Sequence, residues 1–131
     1  MATSAQRRQE IAAGVWDDLL RTLYGSSEAV LARQRARWCA ALTDFERYFG
    51  PGRQVHLYTA PGRAELGGNH TDHQHGYGLA AAVNLDLVGV VARNEDNYIR
   101  VKSWGFNKLD VVDLDEPNPQ ASESTHSASL I

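Results

Sequence analysis

The spacing of apolar residues changes once, near residue 50, and that change restricts the chain to a fold in which helices come first and strands come after. Before it, Ile11, Val15, Leu19 and Leu23 recur every four residues, and Leu31, Trp38, Leu42, Phe45 and Phe49 succeed them at steps of seven, four, three and four. Each series lines one face of a helix. The first is expected to run to Gly25. Ser26 and Ser27 offer the second an N-cap, Glu28 puts an acid where the helix dipole favours it, and Gly50-Pro51-Gly52 closes it. Beyond that the period is two: Val55, Leu57 and Thr59 alternate with His56 and Tyr58, and Ile99, Val101 and Ser103 with Tyr98, Arg100, Lys102 and Trp104. Residues 85–92 are more uniformly apolar and read as a more buried strand. With Asn94-Glu95-Asp96-Asn97 as a turn, residues 85–104 are expected to form a β-hairpin, to which a short strand at 109–114 adds.

The composition is that of an ordinary globular protein, with 22% charged and 43% hydrophobic residues in 131. That length suffices for one core or for part of a larger domain. A net charge of −3 gives no electrostatic reason to expect nucleic acid or an acidic membrane surface as a partner. Arg33, Arg35 and Arg37 spread around their helix and read as a solvated face. Cys39 is the single cysteine, so an internal disulfide is impossible and a structural thiol in a reducing compartment is expected. The first ten residues lack the apolar run of a signal peptide, and no stretch approaches the ~18 apolar residues of a membrane span, so a cytoplasmic protein is expected. The polar stretch 115–129, with Pro117, Pro119 and several serines, has loop chemistry. Leu130 and Ile131 look like the start of another element, and a truncated chain is expected. The expected organisation is a helical segment over 1–50 and a second segment over 51–131.

Chemistry concentrates in residues 60–76, which hold Pro61, four glycines, Arg63, Glu65, Asp72 and the histidines 70, 73 and 75. Glycines at that density let a backbone approach something closely. Three readings compete. His70, Asp72, His73 and His75 have donors suited to a metal such as zinc, but their spacing is neither a helical pair nor a knuckle. In a purely structural loop Arg63 pairs with Glu65 or Asp72 and the histidines are exposed. In a polyol site, carboxylate, imidazole and amide converge on hydroxyls while the arginine faces developing phosphate charge. Residue by residue the structural loop is the leading reading, and nothing in the spacing selects the polyol site.

The segment resembles the signature of galactokinases, which reads A-P-G-R-V-N-L-I-G-E-H-T-D-Y in that family. Here the letters are A-P-G-R-A-E-L-G-G-N-H-T-D-H, with nine of fourteen positions identical, among them Arg63, His70, Thr71 and Asp72. The strand-like stretch 78–83 and the Arg-Val-Lys-Ser sequence at 100–103 continue the likeness, which covers residues ~50 to 114 best. It implies an α/β fold of the α+β two-layer type: N-terminal helices, then a mixed, mainly antiparallel sheet, as in the N-terminal domain of the galactokinase, homoserine kinase and mevalonate kinase superfamily (ribosomal protein S5 domain 2-like). Residues 51–131 would be the partial kinase domain that carries the sugar motif.

The resemblance also implies roles for individual residues of the motif. Asn69, His70, Thr71 and Asp72 would bind the sugar, with an ionised Asp72 accepting from two neighbouring hydroxyls. Arg63 would lie beside the anomeric hydroxyl and stabilise the transferring phosphoryl group. No metal ligand is implied. The family's sugar-binding glutamate is Asn69 here, which keeps an acceptor and loses a charge. The family's asparagine two positions after the arginine is Glu65, an added acid that would need a partner if buried, such as Arg63 or a backbone amide.

The glycine- and serine-rich loop that cradles phosphates in this superfamily does not occur in these 131 residues. None of Asp86, Asp110, Asp113 and Asp115 matches the position of the family's catalytic aspartate. The expectation is therefore a chain that stops before the phosphate loop and is inactive alone. ATP and Mg2+ would serve the full-length enzyme, with none held tightly by this chain and a small sugar as partner. A kinase for another sugar, such as N-acetylgalactosamine, or a non-catalytic sugar sensor fits the same resemblance.

Overall fold

In the computed structural model, residues 2–68 and 75–115 are described, and the chain divides into two compact units, Met1–Ala92 and Arg93–Ile131. The first unit contains helices α1 (Ser4–Ala12), α2 (Asp17–Tyr24) and α3 (Glu28–Phe49) and strands β1 (His56–Gly67) and β2 (Leu79–Val91). The second contains β3 (Tyr98–Val101) and β4 (Asp110–Asp113). Helices succeeded by two antiparallel two-stranded ladders give the expected α+β arrangement. The change of period at residues 50–52 falls inside the first unit.

The N-terminal stripe is broken where one continuous helix was expected. Gly14 adopts φ 79°, a left-handed conformation that a continuing right-handed helix cannot contain, and α2 restarts at Asp17 with a new phase. Leu20, 2% exposed, therefore takes the buried position, while Val15 and Leu19 point outward at 70% and 49%. Thr3 and Gln6 cap the start of α1 reciprocally, a capping box. The same end is sewn to the chain ahead of β1, because Ser4 N–H donates to Arg53 O at 3.0 Å and Val55 N–H to Ala2 O at 3.2 Å.

Helix α3 keeps the expected stripe, with Leu31, Trp38, Leu42 and Phe45 buried. Ser27 is its N-cap residue, although its side chain makes no capping bond. Ile11, Leu20 and Val55 complete the core, and Leu57, Val88, Val90 and Ala92 pack against it. This explains the pairing of β1 with β2: only that ladder turns the apolar alternates of both strands onto the same helical core. The pairs Leu57 with Val90 and Thr59 with Val88 face the helices. Their neighbours Tyr58, Leu85, Leu87 and Val91 lie exposed on the other face, so 85–92 is buried on one side only. Fully burying one such leucine stabilises a fold by about 1.5–3 kcal/mol.

The hairpin expected over 85–104 is not formed, since β2 pairs with β1 and β3 with β4. A bend does occur at 95–97, but the strands on its two sides belong to different ladders. In the second unit the ladder runs from Tyr98 opposite Asp113 to Val101 opposite Asp110. Asn94 Nδ2 donates to Tyr98 O at 2.6 Å, and Leu114 N–H to Asn97 O at 2.9 Å. Trp104 is neither in a core nor on a sheet face: it stands 89% exposed in the turn after β3.

Two of the three arginines expected on a solvated face are tied down. Arg35 forms a fork onto the Asp17 carboxylate and so joins α3 to α2. Arg37 reaches from α3 to Asp86 on β2. Cys39 is half-buried, and its thiol is pushed up by that burial, as a structural cysteine requires.

Candidate functional site

The arginine of the motif lies just past a defect in the β1–β2 ladder. Pro61 pairs with Asp86, and the next pair is Arg63 with Ala82, so Gly62 alone faces Val83, Asn84 and Leu85. Such a bulge bends the ladder and re-aims the residues beyond it. A side chain at Gly62 would be tight, because a Cβ would stand 3.0 Å from both Leu85 O and Val83 Cγ2 and those neighbours would have to give. Pro61 fits the defect because it has no N–H to offer a ladder.

Beyond the bulge, Arg63 is exposed and has no hydrogen-bond or ion-pair partner among the described residues. Its pairing with Glu65 is thus not formed, and Asp72 lies outside the described residues. Glu65 is exposed, so the added acid is not a buried one. The outer ladder closes with Gly67 opposite Leu79. Gly68 then has φ 104°, and a Cβ there would meet Tyr77 O at 2.5 Å and Gly78 Cα at 2.6 Å. Only glycine meets both conditions. The loop that connects the two strands therefore starts and ends in close backbone contact. His75, exposed with φ 61°, stands on its return side.

Asn69, His70, Thr71, Asp72 and His73 lie outside the described residues. Most of the proposed metal donors are among them. Within the described residues no three His, Cys, Asp or Glu side chains gather as metal ligands. No helix among the described residues is long and apolar enough to cross a membrane.

The near side of the bulge carries a polar cluster that sequence reasoning missed. The Asp86 carboxylate, 11% exposed, accepts from Tyr24 Oη at 2.6 Å, from Thr59 Oγ1 and from Arg37 Nη1. Arg37 Nη2 also donates to Asp86 O at 2.6 Å. One carboxylate thereby collects α2, α3, β1 and β2. Burial alone would raise its pKa, but the bonds from Thr59, Tyr24 and Arg37, with the charge of Arg37, bring it down to about 2. The Tyr24 phenol moves up, through burial first and then its bond to Asp86. Asp86 and Thr59 also line a groove of about 420 Å³ along the bulge. The only advance signal was an aspartate among apolar residues in a strand.

Comparison with known proteins bears on this same stretch. Residues 43–93 match the family model described as the galactokinase galactose-binding signature. The match takes in the end of α3, the whole of β1, the connecting loop and β2. Among curated proteins, the chain is 36% identical over 77 residues to a galactokinase of Lactococcus lactis subsp. cremoris, which is 58% of this chain and 19% of that one. It is 32% identical over 81 residues to a galactokinase of Glaesserella parasuis, covering 62% and 21%. A galactokinase of Lacticaseibacillus casei is 37% identical over 70 residues, covering 53% and 18%. The chain thus spans about a fifth of the length of these curated relatives. No solved structure matches it. By sequence, the chain resembles the N-terminal portion of galactokinases.

Proposed function

We propose that this chain supplies the sugar-recognition segment of a galactokinase, in which the loop between β1 and β2 holds galactose and Arg63 faces the phosphoryl group that is transferred. The observation that carries this reading is the match of residues 43–93 to the galactose-binding signature, centred on a hairpin whose bulge presents an exposed arginine at the base of the signature loop. In this reading Asp72 accepts from two adjacent sugar hydroxyls, His70 and Asn69 bond others, and Thr71 completes the contact. Arg63 offers its guanidinium to charge that develops on the phosphoryl oxygens, where a fixed cation lowers the barrier most.

The longer enzyme would transfer the γ-phosphate of ATP to the anomeric hydroxyl with Mg2+ present, in the cytoplasm. The family's glycine- and serine-rich phosphate loop does not occur in these 131 residues, and in this reading ATP and magnesium are held by the rest of the longer enzyme. One substitution favours a second reading of the sugar. Asn69 in place of the family's glutamate removes a charge from the sugar contact, which suits a hexose with a different substituent, such as N-acetylgalactosamine.

Calorimetric titration of the purified chain separates these readings. Galactose is expected to bind at millimolar concentration or better, and Asp72→Asn to abolish the heat. N-acetylgalactosamine binding more tightly would move the reading to the second sugar, and neither sugar binding would end it. With ATP and magnesium the chain alone is expected to phosphorylate no galactose.

A further inference from the structure

The polar cluster at Asp86 stands where the hairpin changes from supported to unsupported. On its near side, Leu57, Val88 and Val90 rest on the helical core. Past the bulge, Arg63, Glu65, Leu66 and residues 79–82 are exposed. Pro61 with Asp86 is the last pair before the register shifts, and Pro61 cannot donate to the ladder there. Regular pairing is therefore interrupted at Gly62, and the outer ladder that starts with Arg63 opposite Ala82 takes its placement against the inner one from whatever holds the strands at this interruption. The residue opposite Pro61 in that last pair is Asp86, whose carboxylate is held by Tyr24 of α2, Thr59 of β1 and Arg37 of α3. Arg37 grips the Asp86 backbone carbonyl as well, so the strand itself is fixed along with its side chain.

We propose that Asp86 is a positioning residue for Arg63: by fastening both strands to α2 and α3 at the bulge, it sets where the guanidinium stands relative to β2 and the helical core. This rests on the reading of Arg63 as the group that faces the transferring phosphoryl. Asp86 itself touches neither sugar nor phosphate in this role. It acts through one turn of strand geometry, and Tyr24 and Arg37 act through it. The helical segment thereby belongs to the site without contributing a ligand contact.

The test uses the 131-residue chain with Asp86→Asn, which keeps the shape and removes the charge, and Tyr24→Phe, which removes one tie and keeps the ring. Two readouts are tracked by NMR: amide exchange at 63–67 against that at Leu31 and Leu42, and the Nε–Hε signal of Arg63, each without and with galactose. In Asp86→Asn, exchange at 63–67 is expected to quicken on the order of tenfold more than at Leu31 and Leu42, which follow only the modest loss of global stability, with the Arg63 signal displaced or broadened. Tyr24→Phe is expected to do the same more weakly, and it answers the question should Asp86→Asn not fold.

An unchanged Arg63 signal in both variants overturns the proposal. So does equal acceleration of every amide in the first unit, which would make Asp86 a contributor to global stability only. The galactose arm separates the two claims. A wild-type chain that ignores galactose, with 63–67 still loosened in the variant, defeats the sugar reading and leaves the tie. A wild-type chain that responds, with a variant indistinguishable from it at Arg63, defeats the tie and leaves the sugar reading.

Discussion

From His56 to Pro61 the first hairpin lies against α3, with Leu57, Val88 and Val90 packed on the helical core and Asp86 tied to two helices; from Arg63 to Gly67 the same two strands continue with most of their side chains exposed. The backbone pairing is antiparallel on both sides of the bulge. The difference lies in the support. The inner half is stabilised by burial, and the outer half by its ladder and by glycines that let two backbones close. Residues able to do chemistry lie on the outer half, and those that give the fold its stability lie on the inner half and the helices.

The comparison is broken most severely from the core side. Leu42 is fully buried, and Leu42→Ala is expected to cost about 2–5 kcal/mol, read as a lower denaturant midpoint. Leu20→Ala should cost a similar amount. A loss below about 1 kcal/mol at both would mean that the helices are not the stabilising half.

Gly68→Ala probes the other half. Its φ of 104° and the 2.5 Å approach to Tyr77 O predict a local cost of about 1–3 kcal/mol. Signals from residues 66–79 should change and galactose response should weaken, with the unfolding midpoint of the helical core nearly constant. A midpoint that falls as far as in Leu42→Ala would show the halves to be one cooperative body.

Acid tests the junction between them. The carboxylate of Asp86 titrates near 2 when folded and close to 3.8 when unfolded, so its contribution is present above pH ~4 and is lost as pH falls toward 2. That contribution is on the order of 2 kcal/mol. Asp86→Asn should remove this acid-dependent part, and an identical pH profile in the variant would argue against it. The smallest effect is expected at Leu19, half-exposed on α2, where replacement by alanine should change stability by no more than about 0.5 kcal/mol.

Periodicity made legible those elements whose partners are close in sequence or whose stripe is long. The buried face of α3 was readable because four turns of one helix repeat the same demand. The inner part of β1 and residues 85–92 of β2 were readable from alternation and apolar content, whereas residues 61–67, whose proline and glycines have loop chemistry, continue β1 past a bulge that only pairing with β2 reveals. Partner choice was not readable. The apolar alternates of residues 85–92 are compatible with either neighbouring strand, and only the position of the helical core selects β1. The break at Gly14 hid behind residues that happened to continue a four-step series. Arg35 and Arg37 looked solvated because their acids, Asp17 and Asp86, lie 18 and 49 residues away. Of the candidate site, the motif residues were legible through resemblance, whereas the support behind Arg63 depended on contacts between distant elements.

The central claim is that the outer hairpin and its loop recognise galactose while the inner half and the helices only hold them. Residue-resolved NMR of the intact chain during a galactose titration tests it directly. Saturable shifts confined to residues 60–78, with the signals of Leu31, Leu42 and Val90 unmoved, are the predicted result. No shift at millimolar galactose in a folded chain, or shifts centred on the helices, would contradict it.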